Sequence, residues 1–316
     1  MVWVRLLLRR WRHKYFEMKH STKYNFIVKK IHEVTAIEFI QERLYSKIMP
    51  VLTKHYLGCY IENDLVGVLT LGWGTQPKAT INKLFPGLST EHYYEIGKMC
   101  MDESMKHGAE SQMINRVIEW IKTECPDVLY LYTWADGLMG KPGYVYQGSN
   151  FYYGGFIWSQ LYITDKGEKV HPRSTKRLCR ENYLWEIEKD PDRFKGTKSE
   201  ERQQVFWLTQ NYLDYIEYKK ISGKQFRYIL PLSKRAKKLL KWSTVEWSLG
   251  NYPKNQDLVW RVHTSNGYDI IQGTEGGKAE NRPFDEYNGD YEYNDKNVNK
   301  HKRKTIEEFL CLTQGG

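Results

Sequence analysis

Residues 95–155, EIGKMCMDESMKHGAESQMINRVIEWIKTECPDVLYLYTWADGLMGKPGYVYQGSNFYYGG, decide the architecture. A strand-like run, a short polar loop, an amphipathic run of helical period, a second β-rich run and a glycine-rich aromatic loop follow one another. Over Gln112–Thr123, Met113, Val117, Trp120 and Ile121 fall on one helical face, with Ser111 placed to cap it. The loop Met105–Ser111 therefore stands where a strand hands over to a helix N-terminus. Such a junction offers unpaired N–H groups and a partial positive charge, which suit an anion such as pyrophosphate. The second strand, Val128–Thr133, runs into Trp134-Ala135-Asp136-Gly137 and sets a carboxylate at its C-terminal edge. An anion cradle beside a carboxylate is the outline of a catalytic cleft.

Outward from this stretch, Asn25–Ile31 reads as a strand and Glu33–Leu44 as a helix. Tyr56–Ile61 and Leu65–Leu71 form a hairpin around Glu62-Asn63-Asp64, and Gly72–Pro86 is a loop of turn formers. Tyr94–Met101 and Phe156–Ile163 complete a run of strands that flank one βαβ crossover. The expected class is α/β, a mixed sheet with flanking helices. The chain divides into a basic N-terminal extension (1–24), a catalytic core (25–173), a basic helical extension (174–274) and a polar tail (275–316). In the extension, Phe226–Leu230 reads as a strand and Ser233–Trp242 (SKRAKKLLKW) as a basic helix, with Leu239, Leu240 and Trp242 available for packing. The tail is low in aliphatic residues and is expected to be disordered. Residues 1–17 read as an extension before a natural start at Met18.

The 316 residues carry a net charge of +10 with 24 Tyr and 11 Trp. Cations that neutralise phosphates and aromatic faces that stack on bases point to nucleic acid. Five dispersed cysteines without a CxxC pair exclude a disulfide framework and a structural zinc site of that type, and fit a reducing, cytoplasmic setting. His55, His92, His107 and His171 show no metal-ligand spacing. No apolar run is long enough to span a membrane.

The order of elements resembles the GNAT acyltransferase fold, and particular residues resemble the Mom-type phage DNA adenine-modification family within it. These are Glu42-Arg43-Leu44-Tyr45-Ser46-Lys47, Asp64-Leu65-Val66-Gly67-Val68-Leu69, Ala109-Glu110-Ser111, Trp134-Ala135-Asp136-Gly137 and Gly143-Tyr144-Val145-Tyr146-Gln147-Gly148-Ser149-Asn150-Phe151. The resemblance implies transfer of a small amide-bearing, carbamoylmethyl-like group to the N6 amine of adenine in double-stranded DNA, shielding it from host restriction. It implies acetyl-CoA or a related acyl donor, and it brings iron as a metal for which the spacing offers no support. Ordinary GNAT enzymes hold pyrophosphate with a glycine-rich loop. Here the loop Lys106-His107-Gly108-Ala109-Glu110-Ser111 has one glycine and a glutamate that repels the anion unless it points away.

Within this reading, Asp136 is the candidate proton acceptor or base-orienting group. Tyr45 and Tyr146 are candidates to stack on the base or donate a proton, and Ser149 to hold the transferred group. Residues 106–111 are the candidate donor site. Gln147, Asn150, Lys47, Arg235 and Lys238 are candidate substrate contacts, the last two on the basic helix. Two other functions remain open: a conventional GNAT acetyltransferase acting on a protein or small amine, and a non-catalytic DNA-binding protein.

Overall fold

The computed structural model describes residues 23–44, 48–74, 77–274 and 291–292. The chain runs β1 (Ile27–Lys30), α1 (Glu33–Arg43), β2 (Thr53–Ile61), β3 (Asp64–Gly72), α2 (Pro77–Leu84), β4 (Tyr93–Met101), α3 (Ala109–Glu124), β5 (Tyr130–Asp136), α4 (Tyr144–Gly148), β6 (Tyr152–Ile163) and β7 (Lys169–Val170). It continues through α5 (Lys176–Lys189), α6 (Lys198–Arg202), α7 (Gln210–Tyr215), β8 (Lys219–Pro231), α8 (Lys234–Leu239), β9 (Val259–Thr264), β10 (Gly267–Gln272) and β11 (Tyr291–Glu292). The sheet order is β1-β2-β3-β4-β5-β8-β6-β7-β11, with β9 on β8 and β10 on β9. β4 and β5 are parallel and joined by the crossover α3, whereas their outer neighbours β3 and β8 are antiparallel to them.

Alternation along the strands builds the two layers. Tyr94, Ile96 and Leu131 meet Met113, Val117 and Ile121 of α3, while Tyr93, Tyr130 and Tyr132 meet Ile81, Leu84 and Phe85 at α2 and Ala236 and Leu240 at α8. Farther along that second face, Val68 and Cys100 pack under Ala36, Ile37 and Ile40 of α1. The result is the mixed α/β sheet with flanking helices that the element order predicts.

Four expectations change. The Gly72–Pro86 loop contains α2, because Ile81, Leu84 and Phe85 have helical spacing and a buried face that the surrounding Gly and Pro residues obscure. Helix α3 starts at Ala109, before Ser111; its N-cap is Gly108 at φ 90°, a left-handed conformation suited to glycine. The sheet also crosses the expected division at residues 173/174. β8 lies between β5 and β6, and residues 176–215 form helices around a separate cluster that includes Tyr162, Tyr183 and Leu213. Finally, Trp242 is 69% exposed rather than packed.

The terminal boundaries shift as well. Tyr24 belongs to the core: its N–H donates to Gln112 Oε1 at 3.0 Å, and its hydroxyl accepts from the Lys106 N–H at 3.1 Å. In the tail, Tyr291 and Glu292 pair in parallel with Lys169 and Val170. The remaining tail and residues 1–22 lie outside the described residues.

The fully buried Tyr130 donates its hydroxyl to the Ala236 carbonyl at 2.8 Å, tying α8 to the sheet. Tyr130→Phe leaves that acceptor without its donor. It should destabilise the fold by about 1–2 kcal/mol, seen as a lower urea midpoint at unchanged m-value.

Candidate active site

β4 and β5 pair through only three positions, Tyr93 with Tyr130, Tyr94 with Leu131 and Glu95 with Tyr132. Beyond these, β4 follows β3 as far as Met101, while β5 follows β8 as far as Asp136. The strands part, and a cleft of about 980 Å³ lies between them, lined by residues 96–101 of β4, Trp134–Asp136 of β5 and Tyr146 of α4. Beyond Glu95 and Tyr132 the two strands no longer pair with each other, and each turns a backbone edge of alternating N–H and C=O groups toward this space.

A β-bulge sets the chemistry of one wall. Thr70 pairs with Lys98 and Leu71 with Ile96, which leaves Gly97 as the extra residue. The Lys98 N–H donates to Thr70 Oγ1 at 2.9 Å beside this interruption. The bulge moves the alternation by one residue, so Lys98 joins Glu95 on one face instead of following Ile96 into the α3 layer. Close approach requires glycine here, since a Cβ at Gly97 would lie 2.8 Å from Pro50 Cγ. On β5, Asp136 falls on the same face as Tyr130 and Tyr132.

Glu95, Lys98 and Asp136 thus collect at the parting strands. Asp136 Oδ1 accepts the Met139 N–H at 3.3 Å. Burial pulls the Lys98 ammonium down to about 8, against the opposing pull of the Asp136 carboxylate. Burial also pushes the Glu95 carboxyl up to about 7. That carboxyl packs against Gly74, where an added Cβ would lie 2.3 Å from Glu95 Oε2. Tyr146 packs against Phe151 and Tyr228 at ring-centroid distances of 5.5 and 5.6 Å, and burial raises its phenol above the ordinary range.

Of the candidates read from the sequence, Asp136, Tyr146 and Glu110 line this cleft. Glu110 is half-buried at the start of α3, where an anion cradle needs the opposite charge. Lys106 and His107 are exposed, Gly108 supplies the helix cap and Ala109 is buried beneath α3. Ser111 Oγ and the buried Ser149 Oγ both donate to the Val145 carbonyl, at 3.4 and 2.9 Å. Ser111 therefore fastens the start of α3 to α4, and Ser149 closes the C-terminal end of α4.

Gln147 is also committed to structure. Its Nε2 donates to Tyr228 Oη at 3.0 Å and the Pro253 carbonyl at 2.9 Å, and its Oε1 accepts from Lys254 Nζ at 3.0 Å. Asn150 occupies the left-handed region at φ 61°, closing the turn after α4. Arg235 and Lys238 are exposed on α8 and do not line the cleft. Tyr45 and Lys47 lie outside the described residues.

Sequence reasoning missed Glu95 and Lys98. Their signal was two ionisable residues around a glycine in an otherwise apolar strand, the pattern of a bulge that re-aims side chains. For a metal, no group of three or more His, Cys, Asp or Glu among the described residues is placed to hold an ion. The iron carried by the resemblance does not fit the residues described.

With this geometry in place, comparison with known proteins identifies the class. The Mom protein family matches residues 25–254, and the chain belongs to that family. It is 28% identical over 215 residues to the methylcarbamoylase mom of Escherichia phage Mu, covering 68% of this chain and 78% of the phage protein. Among solved structures, a Bacillus subtilis acetyltransferase in complex with CoA aligns over 67% of this chain and all of its own, at 13% identity and a TM-score of 0.30. An Escherichia coli GNAT-family N-acetyltransferase in complex with CoA aligns over 42% of this chain and 71% of its own, at 8% identity and a TM-score of 0.29.

The Glu95 environment sets a pH test. Its folded-state carboxyl titrates at about 7, above the 4.5 of an unperturbed glutamate. The associated stability is present below pH 4.5 and is lost as pH rises toward 7. Glu95→Gln, neutral throughout, should gain on the wild type across that window by up to about 3 kcal/mol near pH 8. Paired thermal melts at pH 4.5 and pH 8 read the difference.

Proposed function

We propose that this chain transfers a small amide-bearing, carbamoylmethyl-like group to the N6 amine of adenine in DNA, protecting the DNA from host restriction. The observation that carries the reading is the set of ionisable groups where β4 and β5 part, in a chain that belongs to the Mom family. Its phage Mu relative is a methylcarbamoylase, and membership supports the coarser assignment of a DNA-modifying transferase.

The adenine amine is a weak nucleophile because its lone pair is delocalised into the ring, and within a duplex it is inaccessible. The base must be extruded and held by stacking and edge contacts. Tyr146 offers a ring at the cleft wall for this. Asp136, held by the Met139 N–H, takes the proton that N6 sheds as the new N6–carbon bond forms. The bond from that carbon to its carrier breaks, and its electron pair leaves with the carrier. Lys98 opposes the negative charge of Asp136. Glu95, whose carboxyl burial pushes up to about 7, is a second group in the cleft able to hold a proton near neutral pH.

The open strand edges suit a donor with a coenzyme A-type arm, whose amide groups can bond to backbone groups as an added strand would. Acetyl transfer alone would give an N6-acetyl product, so the carbamoylmethyl group must reach N6 with its amide nitrogen in place and its leaving group on the methylene. Ile96–Met101 and Trp134–Asp136 would flank that arm. Half-buried Glu110 disfavours a pyrophosphate placed directly on the α3 N-terminus, which counts against the conventional acetyltransferase reading.

Asp136→Asn keeps the side-chain shape and removes the base. In bacteria expressing the full chain, mass spectrometry of nucleosides should find a modified deoxyadenosine with the wild type and at least about 100-fold less with Asp136→Asn. An unmodified deoxyadenosine pool with the soluble wild type would overturn the assignment.

A further inference from the structure

Beyond the cleft, the sheet carries a second surface that the transfer chemistry does not use. Trp158 on β6 pairs with Lys224 on β8, Ser222 on β8 pairs with Arg261 on β9, and His263 on β9 pairs with Tyr268 on β10. Alternation puts Trp158, Lys224, Arg261 and Tyr268 on one face of four adjacent strands. The aromatic members stay open to solvent: Trp158 is 38% exposed and Tyr268 47% exposed. Gln160, two residues from Trp158 on the same face of β6, lines the cleft.

Cations are interleaved with these rings. The Arg261 guanidinium lies 3.8 Å from the Trp158 ring centroid and 4.7 Å from that of Tyr268, so it bridges the two. Lys224 Nζ lies 4.8 Å from the ring centroid of Phe156. No carboxylate stands within ion-pair distance of Lys220, Lys224 or Arg261 among the described residues. Arg261 Nε is buried with no hydrogen-bond partner. His263, hydrogen-bonded to Ser222 Oγ at 2.7 Å, is held below the ordinary imidazole range by burial and by the charges of Lys220 and Arg261. Lys224 Nζ donates to the Asp257 carbonyl at 3.0 Å and feels the Asp257 carboxylate, while Lys220 and Arg261 add further positive charge, so the face is a net positive field that a polyanion complements.

We propose that the exposed face of β6, β8, β9 and β10 holds a single-stranded segment of DNA beside the target base, with bases stacked on Trp158 and Tyr268 and phosphates on Arg261 and Lys224. This rests on the DNA-modification reading above. Charge alone would serve a duplex. Solvent-open rings set between cations on a sheet face instead fit unpaired bases, which present π-faces that a duplex keeps stacked. An enzyme that extrudes its target must stabilise the locally opened strand, and this face begins next to the cleft.

Fluorescence anisotropy of the full chain with a labelled 12-nucleotide single strand, and with the matching duplex, tests the assignment. Trp158→Ala should weaken single-strand binding about tenfold. Arg261→Ser should weaken it and flatten the dependence of log K on log salt by roughly 0.7. If thermal melting shows that Trp158→Ala is unfolded, the exposed Tyr268→Ala with Lys224→Gln carries the same expectation. Variants that bind the single strand like the wild type, or lose only duplex binding, overturn the proposal. If the wild type still modifies cellular DNA in that case, only the docking face is wrong. A wild type that binds no DNA and leaves it unmodified removes the underlying reading too.

Discussion

The structure turns on the brevity of the β4–β5 pairing. Two parallel strands that stayed hydrogen-bonded along their length would leave a closed sheet with no space inside it. Here each strand has a stronger attachment on its other side: β4 to β3 and β5 to β8, both antiparallel and both longer. Three shared positions hold the strands together at one end, and the divergent neighbours pull them apart at the other. The cleft is therefore a property of the topology, its main walls being the two parted strands.

That origin explains the chemistry of the walls. A parted sheet exposes backbone groups as well as side chains, so it offers a ladder of donors and acceptors beside the reacting groups. The bulge at Gly97 adds Lys98 to the face that already carries Glu95, and the end of β5 brings Asp136 to the same place. Burial then separates the groups by function. Lys98 is drawn down to about 8 and Glu95 pushed up to about 7, so both lie within reach of neutral pH. Groups poised in this way move protons at small energetic cost.

Much of this was legible in the sequence because it follows local rules. The apolar period of α3, the β-branched and aromatic run of β5 and the Asp136-Gly137 end of that strand each read correctly from neighbours in the chain. What stayed hidden depended on distant partners. β8 enters between β5 and β6 from beyond the expected end of the core, and no local pattern marks such an insertion. Ser149 and Gln147 looked like ligands because polar residues in glycine-rich loops often are. Their partners, the Val145 carbonyl and the Tyr228–Pro253–Lys254 group, become visible only once the chain is folded. Glu95 was overlooked because its importance arises from burial against Gly74, a contact between β4 and the segment that follows β3.

The central claim is that the parted edges of β4 and β5 receive the donor. Backbone hydrogen exchange, followed by mass spectrometry on the full chain with and without acetyl-CoA, tests it most directly. Donor binding should slow exchange at the amides of residues 96–101 and 133–136 that point into the cleft. Unchanged exchange on both strands, with protection elsewhere in a chain that still modifies DNA, would contradict the account.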